Sequence, residues 1–508
     1  MTYRFAAPSR AIRVLALGAI AASVLSPAVH LAFVALNLVA SACVLTLQAL
    51  FTRLPRRKPA TRASKKLPFV SIQVPAHDEP PDVLIETLRS LAAIDWPHFE
   101  VLVIDNNTRD PARWRPVERA CGELGPRFRF LHVEGLAGAK AGALNWARPK
   151  IDPRAEYVFV VDADYQVRAD CLRRAFAHVT DERVALVQFP QDYRNVTSAN
   201  AGLALELRHF FASYMHAANR LECVPSTGTL SFIHLGALRD AGGFDTQVIT
   251  EDVELGLRML RRGHRAVFVD EPVGTGLLPL DLEGVKKQRW RWAFGNAQVL
   301  RASWRTFFFE RTLTRKQKLG LLAHMTAWFN FNLLPSVSLI ALSLLSAMQP
   351  LVPAQRIAIW ASGATLVSFL LLRFITLSVG LRRDGHRWRE VFLAFVVHLG
   401  LGWIFQSSWL ACLWDQRSRF VRTNKFVDRA VPGELRWMVT ELAIGLCFVV
   451  ACVAMVVADV FGGALAAIVF AILRLGIVYV WRQARATYEH TAQQVESQFA
   501  VPPDDVAA

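Results

Sequence analysis

The chain has 508 residues, 58 Lys+Arg against 42 Asp+Glu, a formal net charge of +16 and 53% hydrophobic residues. So apolar a chain buries enough surface to offset its conformational entropy, which excludes a disordered protein. Seven Cys over this length exclude a disulfide scaffold; none stands in a CxxC or at zinc spacing, so they read as mostly buried small hydrophobes.

Val14 to Phe51 carries no Asp, Glu, Lys or Arg. A crossing takes roughly 20 apolar residues, and Ser26–Pro27 breaks the run. This predicts a membrane hairpin over 1–52, with helices at 12–29 and 31–51, too long for a cleaved leader. Arg53–Lys66 holds seven basic residues and no acidic one, which places the 53–67 linker on the cytoplasmic side.

Residues 68–298 contain no span-length apolar run and read as a soluble domain. FVSIQVP (69–75), EVLVID (100–105), FRFLHV (128–133) and YVFVVDAD (157–164) read as strands. They alternate with helical patterns over 81–93, around 111–124 and over 137–147. Such alternation predicts an α/β domain with a mostly parallel sheet, whose ligands bind beyond the carboxyl ends of the strands. That rule selects Asp105, Asp162 and Asp164. Asp162 and Asp164, at i and i+2 of an extended segment, should point one way. Two carboxylates at one point suit Mg²⁺ or Mn²⁺ bridging a nucleotide diphosphate. No GxGxxG follows the first strand and no GxxxxGK[ST] occurs, which argues against a dinucleotide enzyme or a P-loop ATPase.

Further on, Glu251 and Asp252 open a helix in TEDVELGLRMLRRG (250–263), and QRWRWAFG (288–295) packs two Trp and two Arg into four residues. Val299 to Lys318 is expected to lie on the bilayer surface as an amphipathic helix. Apolar runs return at 319–348, 357–381, 391–414, 437–459 and 463–481, within a membrane region over 319–482 followed by a cytoplasmic tail over 483–508. Basic Arg382–Arg389 and Arg417–Arg429 flank the 391–414 run. Holding both inside makes 391–414 interfacial or re-entrant and leaves six spans; a seventh span is the alternative. Arg373 and Arg474 fall within spans, where charge either snorkels or faces a hydrated path.

The ordered motifs PAHDE (75–79), Asp105, KAGALN (140–145), DAD (162–164), TED (250–252) and QRWRW (288–292) resemble the processive family 2 glycosyltransferases, the cellulose, chitin and hyaluronan synthases. DNNTRDPARWRPVE (105–118), the stretch 125–145 and TGTLSFI (227–233) resemble in detail the bacterial β-1,3- and cyclic-β-glucan synthases. The resemblance implies a GT-A-type cytoplasmic nucleotide-sugar transferase domain embedded between α-helical transmembrane segments. It implies an inverting enzyme that polymerises a β-glucan from UDP-glucose and passes it across the bacterial inner membrane. Pro75, His77, Glu79, Asp105, Lys140, Asp162, Asp164, Gln288 and Arg291 would bind the nucleotide sugar, with the metal on Asp164 and Asp162. Asp252 would be the general base, with Glu251 beside it. Thr227, Gly228, Thr229, Glu251 and Trp292 would meet the acceptor. RFVRTNK (419–425) resembles the family's gating loop, which implies that role for Phe420, Arg422, Thr423 and Lys425. His324, Trp328, Asn330 and Asn332 are candidates for the entrance of a glycan path. A transferase loading one sugar onto a lipid carrier, and a polymerase of another sugar or linkage, remain open alternatives. The basic residues cluster beside the apolar runs, where anionic lipid accounts for them, so a bilayer and a growing glycan are expected as partners and nucleic acid is not.

Overall fold

The computed structural model describes residues 26–62, 66–330, 332–414 and 435–499. The expected first span at 12–29, apart from its last residues, and the gating-like residues Phe420, Arg422, Thr423 and Lys425 lie outside the described residues.

The soluble part is built on a seven-stranded sheet of order β3-β2-β1-β4-β8-β6-β9. Its strands are β1 (Phe69–Ala76), β2 (Phe99–Asn106), β3 (Phe128–Val133), β4 (Ala155–Val160), β6 (Val184–Gln188), β8 (Ser231–His234) and β9 (Arg265–Phe268). β1 to β4 pair in parallel, while β8 runs antiparallel to both neighbours, β4 and β6. A smaller sheet joins β5 (Gln166–Val167), β10 (Gly274–Gly276) and β7 (Asp192–Tyr193).

Alternate residues of each strand feed two cores. Val101 and Val103 join Leu84, Leu88 and Leu91 of helix Pro81–Ala92 on one face. Leu102 and Ile104 join Leu144 and Ala147 of helix Ala139–Ala147 on the other. Both faces are thus covered, which is why these strands are nearly continuous runs of apolar residues. The order of connection reverses between β1 and β4, and their carboxyl ends flank a crevice there. The β4 strand ends at Val160, earlier than expected. Asp162 and Asp164 therefore lie in a turn, closed by Tyr165 N donating to the Asp162 carbonyl at 3.0 Å, and not in an extended run that points both one way.

Among the described residues, four helices are long and apolar enough to cross a membrane: Pro27–Thr52, Pro353–Arg383, Val439–Val457 and Phe461–Gln494. Helices Trp388–Gly400 and Gly402–Leu413 make a pair bent by 43°, a fifth crossing if counted as one span. An apolar cluster containing Phe51, Phe210, Val285, Leu321, Val397 and Ile477 joins this bundle to the sheet domain. Cys121, Cys171, Cys223 and Cys412 are buried as expected, whereas Cys43 and Cys447 are exposed on helices of the bundle.

The apolar run 319–348 is not one span: it divides into helices Arg315–Met325 and Leu333–Ser346. Side chains from other helices hold the carbonyls of the break. Arg373, 0% exposed, donates to Ala327 O and Phe329 O at 2.8 Å each, and Trp409 Nε1 donates to Trp328 O at 3.1 Å. Arg373 thus neither snorkels nor faces a water path; it caps a broken helix. Val299–Lys318 is not one amphipathic helix either. Its first residues complete helix Leu282–Ala302, a short helix Trp304–Phe309 follows, and helix Arg315–Met325 begins before it ends. Asn330 and Asn332 serve the break, through Asn330 Nδ2 to Gly402 O at 3.1 Å and Asn332 N to Asn330 Oδ1 at 3.2 Å.

Candidate active site

A cavity of about 400 Å³ opens at the β1/β4 crevice. Its wall collects Pro75, His77, Glu79, Lys140, Asp162, Asp164, Thr227, Gly228, Glu251, Asp252, Gln288, Arg291 and Trp292. Six separate stretches of sequence therefore meet at one point.

From the β1 side, His77 Nδ1 bonds the Asn106 carbonyl at 2.5 Å. Asp105 does not reach the cavity wall. It is buried behind it, where Thr108 Oγ1 donates to one carboxylate oxygen at 2.6 Å and His132 Nδ1 meets the other at 2.6 Å. Burial pushes the Asp105 carboxyl up, and those two hydrogen bonds pull against it. Its neighbours Asn106 and Asn107 line the cavity instead, with Asn107 tied to Leu136 through N–H···Oδ1 at 3.0 Å and Nδ2–H···O at 2.7 Å.

Lys140 enters from helix Ala139–Ala147. Its ammonium forms an ion pair with Asp162 and donates to Gly228 O at 2.9 Å. Burial pushes this lysine down, but Asp162, Glu251 and Asp252 outweigh it and hold its pKa above the ordinary value. Asp164 accepts from Leu277 N at 2.8 Å, and its carbonyl accepts from Arg194 Nη1 at 2.6 Å. Thr229 is not at the cavity; its hydroxyl accepts from Asp162 N at 3.0 Å.

Glu251 and Asp252 open helix Glu251–Arg261. Burial pushes both carboxyls up, with Asp252 adding to the effect on Glu251 and with Lys140 and Arg291 opposing it on each. Gln288, Arg291 and Trp292 project from helix Leu282–Ala302, and burial pushes the Arg291 guanidinium down against the pull of Glu251, Asp162 and Asp252.

A narrower annex of about 50 Å³ adjoins it and reaches helix Arg315–Met325 and the break that follows it. It shares Gln191, Thr227, Thr250, Asp252 and Trp292 with the main cavity and adds Phe210, Asn296, His324 and Trp328. Thr250 Oγ1, Asn296 Nδ2 and both His324 ring nitrogens are buried without a hydrogen-bond partner among the described residues.

Oxygen donors on two carboxylates suit a hard cation that also takes phosphate oxygens, and Asp162 with Asp164 supplies them at the wall. Among the described residues no group of three or more His, Cys, Asp and Glu forms a complete protein cage for a metal. A buried carboxylate with a raised pKa suits proton acceptance, and the charge of Arg291 suits a diphosphate.

The sequence reading missed Tyr165, Gln191 and Tyr193, all of which line the cavity. Gln191 and Tyr193 follow β6, whose carboxyl end lies on the same side as that of β4 because both run antiparallel to β8. Applying the strand-end rule to VALVQFPQDY (184–193) finds them.

A mostly parallel sheet with strand-end carboxylates at its switch point, carried on apolar helices, is the GT-A arrangement of a glycosyltransferase. Residues 157–481 match glycosyl transferase family group 2, and residues 71–240 match glycosyl transferase family 2. The chain belongs to glycosyl transferase family group 2, and its relatives include proteins named as cellulose synthases and glucomannan 4-beta-mannosyltransferases. It is similar to the cellulose synthase catalytic subunit [UDP-forming] of Xanthomonas axonopodis pv. citri, at 30% identity over 259 residues, 48% of this chain and 34% of that one. It is similar to glucomannan 4-beta-mannosyltransferase 7 of Arabidopsis thaliana, at 27% identity over 248 residues, 47% of this chain and 44% of that one. The matches thus span less than half the length of these relatives. The mannosyltransferase PcManGT from Pyrobaculum calidifontis, solved with GDP-Man and Mn2+, overlays with a TM-score of 0.49 at 20% identity over 76% of this chain and 100% of that one.

Proposed function

We propose that this chain is a membrane-embedded inverting glycosyltransferase that polymerises a β-1,3-glucan from UDP-glucose at the cytoplasmic face of a bacterial inner membrane and passes it across. The observation that carries this reading is the convergence of DAD, TED and QxxRW on one cavity whose annex reaches helix Arg315–Met325 and the break after it.

In this reading the uridine lies against Pro75, His77 and Glu79, with Asp105 shaping that wall from behind. Lys140 holds Asp162, and Asp164 and Asp162 hold Mg²⁺ or Mn²⁺. That ion, when bound, supplies charge neutralisation on the diphosphate. Arg291 and Gln288 bind the same diphosphate. An acceptor hydroxyl oxygen forms a bond to the anomeric carbon as the bond to the diphosphate oxygen breaks. The Asp252 carboxylate takes the hydroxyl proton, and UDP departs with the bonding electrons and the charge that Arg291 stabilises. One displacement turns an α-linked donor into a β-linkage, so no second carboxylate acts as nucleophile. Glu251 lies beside the base. Trp292 offers its ring face to the acceptor sugar, and Thr227 and Gly228 line the same side, with Thr229 supporting Asp162 from behind. The unpartnered atoms of Thr250, Asn296 and His324 are suited to sugar hydroxyls in the annex, with Trp328 alongside.

A second reading keeps the chemistry and changes the linkage: the relatives named as cellulose synthase and glucomannan 4-beta-mannosyltransferase favour a β-1,4 polymer. Radiolabelled UDP-glucose and Mg²⁺, supplied to the purified chain in vesicles, test both. High-molecular-weight product digested by a β-1,3-glucanase alone supports the first reading. Product cut only by a β-1,4 enzyme replaces its linkage. A labelled lipid without polymer overturns the polymerase.

A further inference from the structure

Three helices meet at one buried carboxylate outside the cavity. Glu206, on helix Ala201–His209, accepts at Oε2 from Arg289 Nε at 3.0 Å, with Arg289 Nη2 at 2.9 Å from the same oxygen. Its Oε1 meets His398 Nδ1 at 3.0 Å. Both side chains of the Glu206–Arg289 pair are 1% exposed. The remaining arm of Arg289, Nη1, donates to Gln288 Oε1 at 2.6 Å. A guanidinium only donates, so the Gln288 amide must turn its oxygen to Arg289 and keep its NH₂ for the cavity it lines. The same guanidinium carbon stands 4.9 Å from the centroid of the Trp292 ring, stacking against it. One buried arginine therefore sets both the amide end that Gln288 presents and the plane of Trp292.

A buried ion pair is weak as a stabiliser, because desolvation offsets much of its attraction. A staple between these helices could be apolar, as the surrounding cluster is. The local backbone shares the departure from ordinary packing. Directly after Ala201–His209 comes a wide helical turn, Phe210–Met215, which closes i to i+5. It carries Phe210 and Phe211 to the annex, and His209 Nδ1 bonds the Glu206 carbonyl at 2.9 Å.

The geometry points to Glu206 as a positioning residue for sugar transfer: by holding Arg289 it fixes the Gln288 amide and the Trp292 ring, with His398 as the second hold on its carboxylate. The inference rests on the proposed transfer reaction for its rate readout, and on a separate readout for the geometry.

The test is a double-mutant cycle on the full chain in lipid nanodiscs. Glu206→Gln keeps the side-chain size and removes the charge. Misplacing groups at a site by about 1 Å costs about 10²-fold in rate, so transfer falls by about that factor in the otherwise native chain. With Trp292→Leu already present, the same change lowers transfer by a smaller factor than in the native background, the part that runs through Gln288 remaining, because coupled sites do not add. Hydroxyl-radical footprinting shows Trp292 more reactive in Glu206→Gln than in the native chain. Equal losses in both backgrounds, or an unchanged Trp292 footprint, overturn the inference. Should Glu206→Gln fail to give a monodisperse protein, Arg289→Lys takes its place. It keeps a cation opposite Glu206 and loses the arm to Gln288, with the same two results expected. A native chain that transfers no sugar refutes the proposed function; the footprint then still decides the positioning claim.

Discussion

Gly228 occupies a position where a single methyl group separates a stability effect from a catalytic one. Its φ is +84°, and a Cβ built there would lie 2.9 Å from Asp252 Oδ2, 3.5 Å from Asp252 Cγ and 3.6 Å from Lys140 Nζ. A left-handed conformation costs an L-residue about 1–2 kcal/mol, so Gly228→Ala lowers stability by about that much. The steric consequence is more specific. Asp252 Oδ1 is held by Val253 N at 2.9 Å, so the carboxylate relieves the contact by turning away from the methyl group and out of its place in the cavity. The Gly228 carbonyl also accepts from Lys140 at 2.9 Å, so a retreat of the loop disturbs the lysine instead. Either response displaces a group at the reacting centre, and about 10²-fold in turnover is the expected scale, about 2.7 kcal/mol in the barrier. The assay is the rate of labelled sugar transfer, measured beside the UDP dissociation constant and the unfolding temperature. A Gly228→Ala protein that unfolds at a slightly lower temperature, binds UDP and transfers at the native rate would refute the placement of Asp252 at the acceptor hydroxyl.

Other expectations follow from the same site. Asp252→Asn retains UDP binding and loses about 10²–10⁴-fold in turnover, the scale of a lost general base; equilibrium binding and single-turnover transfer measure the two separately. Burial raises the pKa of Glu251 and of Asp252, so the native state holds more protons than the unfolded chain between their ordinary and raised values, and stability falls as pH rises through that window. Glu251→Gln is therefore expected to raise the unfolding temperature above the window while native-chain transfer, which needs Asp252 ionised, is lost on the acid side; unfolding and rate profiles against pH check both signs. Chelation of divalent cations abolishes transfer, and Asp164→Asn shifts the Mn²⁺ concentration needed to restore it upward, read from a metal titration of the rate.

The first four strands were legible in the sequence because each is a short, largely apolar run, and the polar residues after two of them mark the crevice: Asp105 stands at the end of β2, and the turn after β4 carries Asp162 and Asp164. The helices between them were legible from leucines at helical spacing, as in Leu84, Leu88 and Leu91. What lay hidden depends on contacts distant in sequence. β8 inserts antiparallel between β4 and β6, and no local pattern reports such an insertion. The Glu206–Arg289 pair spans 83 residues, and Glu206 alone looks like an ordinary helix-surface acid. At Asp105 the strand-end position points to the site, while Thr108 and His132, distant or unremarkable in the sequence, hold its carboxylate behind the cavity wall. The run 319–348 misled because hydropathy registers apolar length and not the break that Arg373 holds from another helix.

One measurement bears most directly on the claim that DAD, TED and QxxRW form a single sugar-transfer site. The native chain and Asp252→Asn are given labelled UDP-glucose and Mg²⁺ side by side, and UDP released is compared with label entering polymer. The account predicts one UDP per sugar incorporated in the native chain, with Asp252→Asn still binding UDP but forming polymer at a small fraction of that rate. UDP release without incorporation in the native chain, or equal polymer from both proteins, would contradict it.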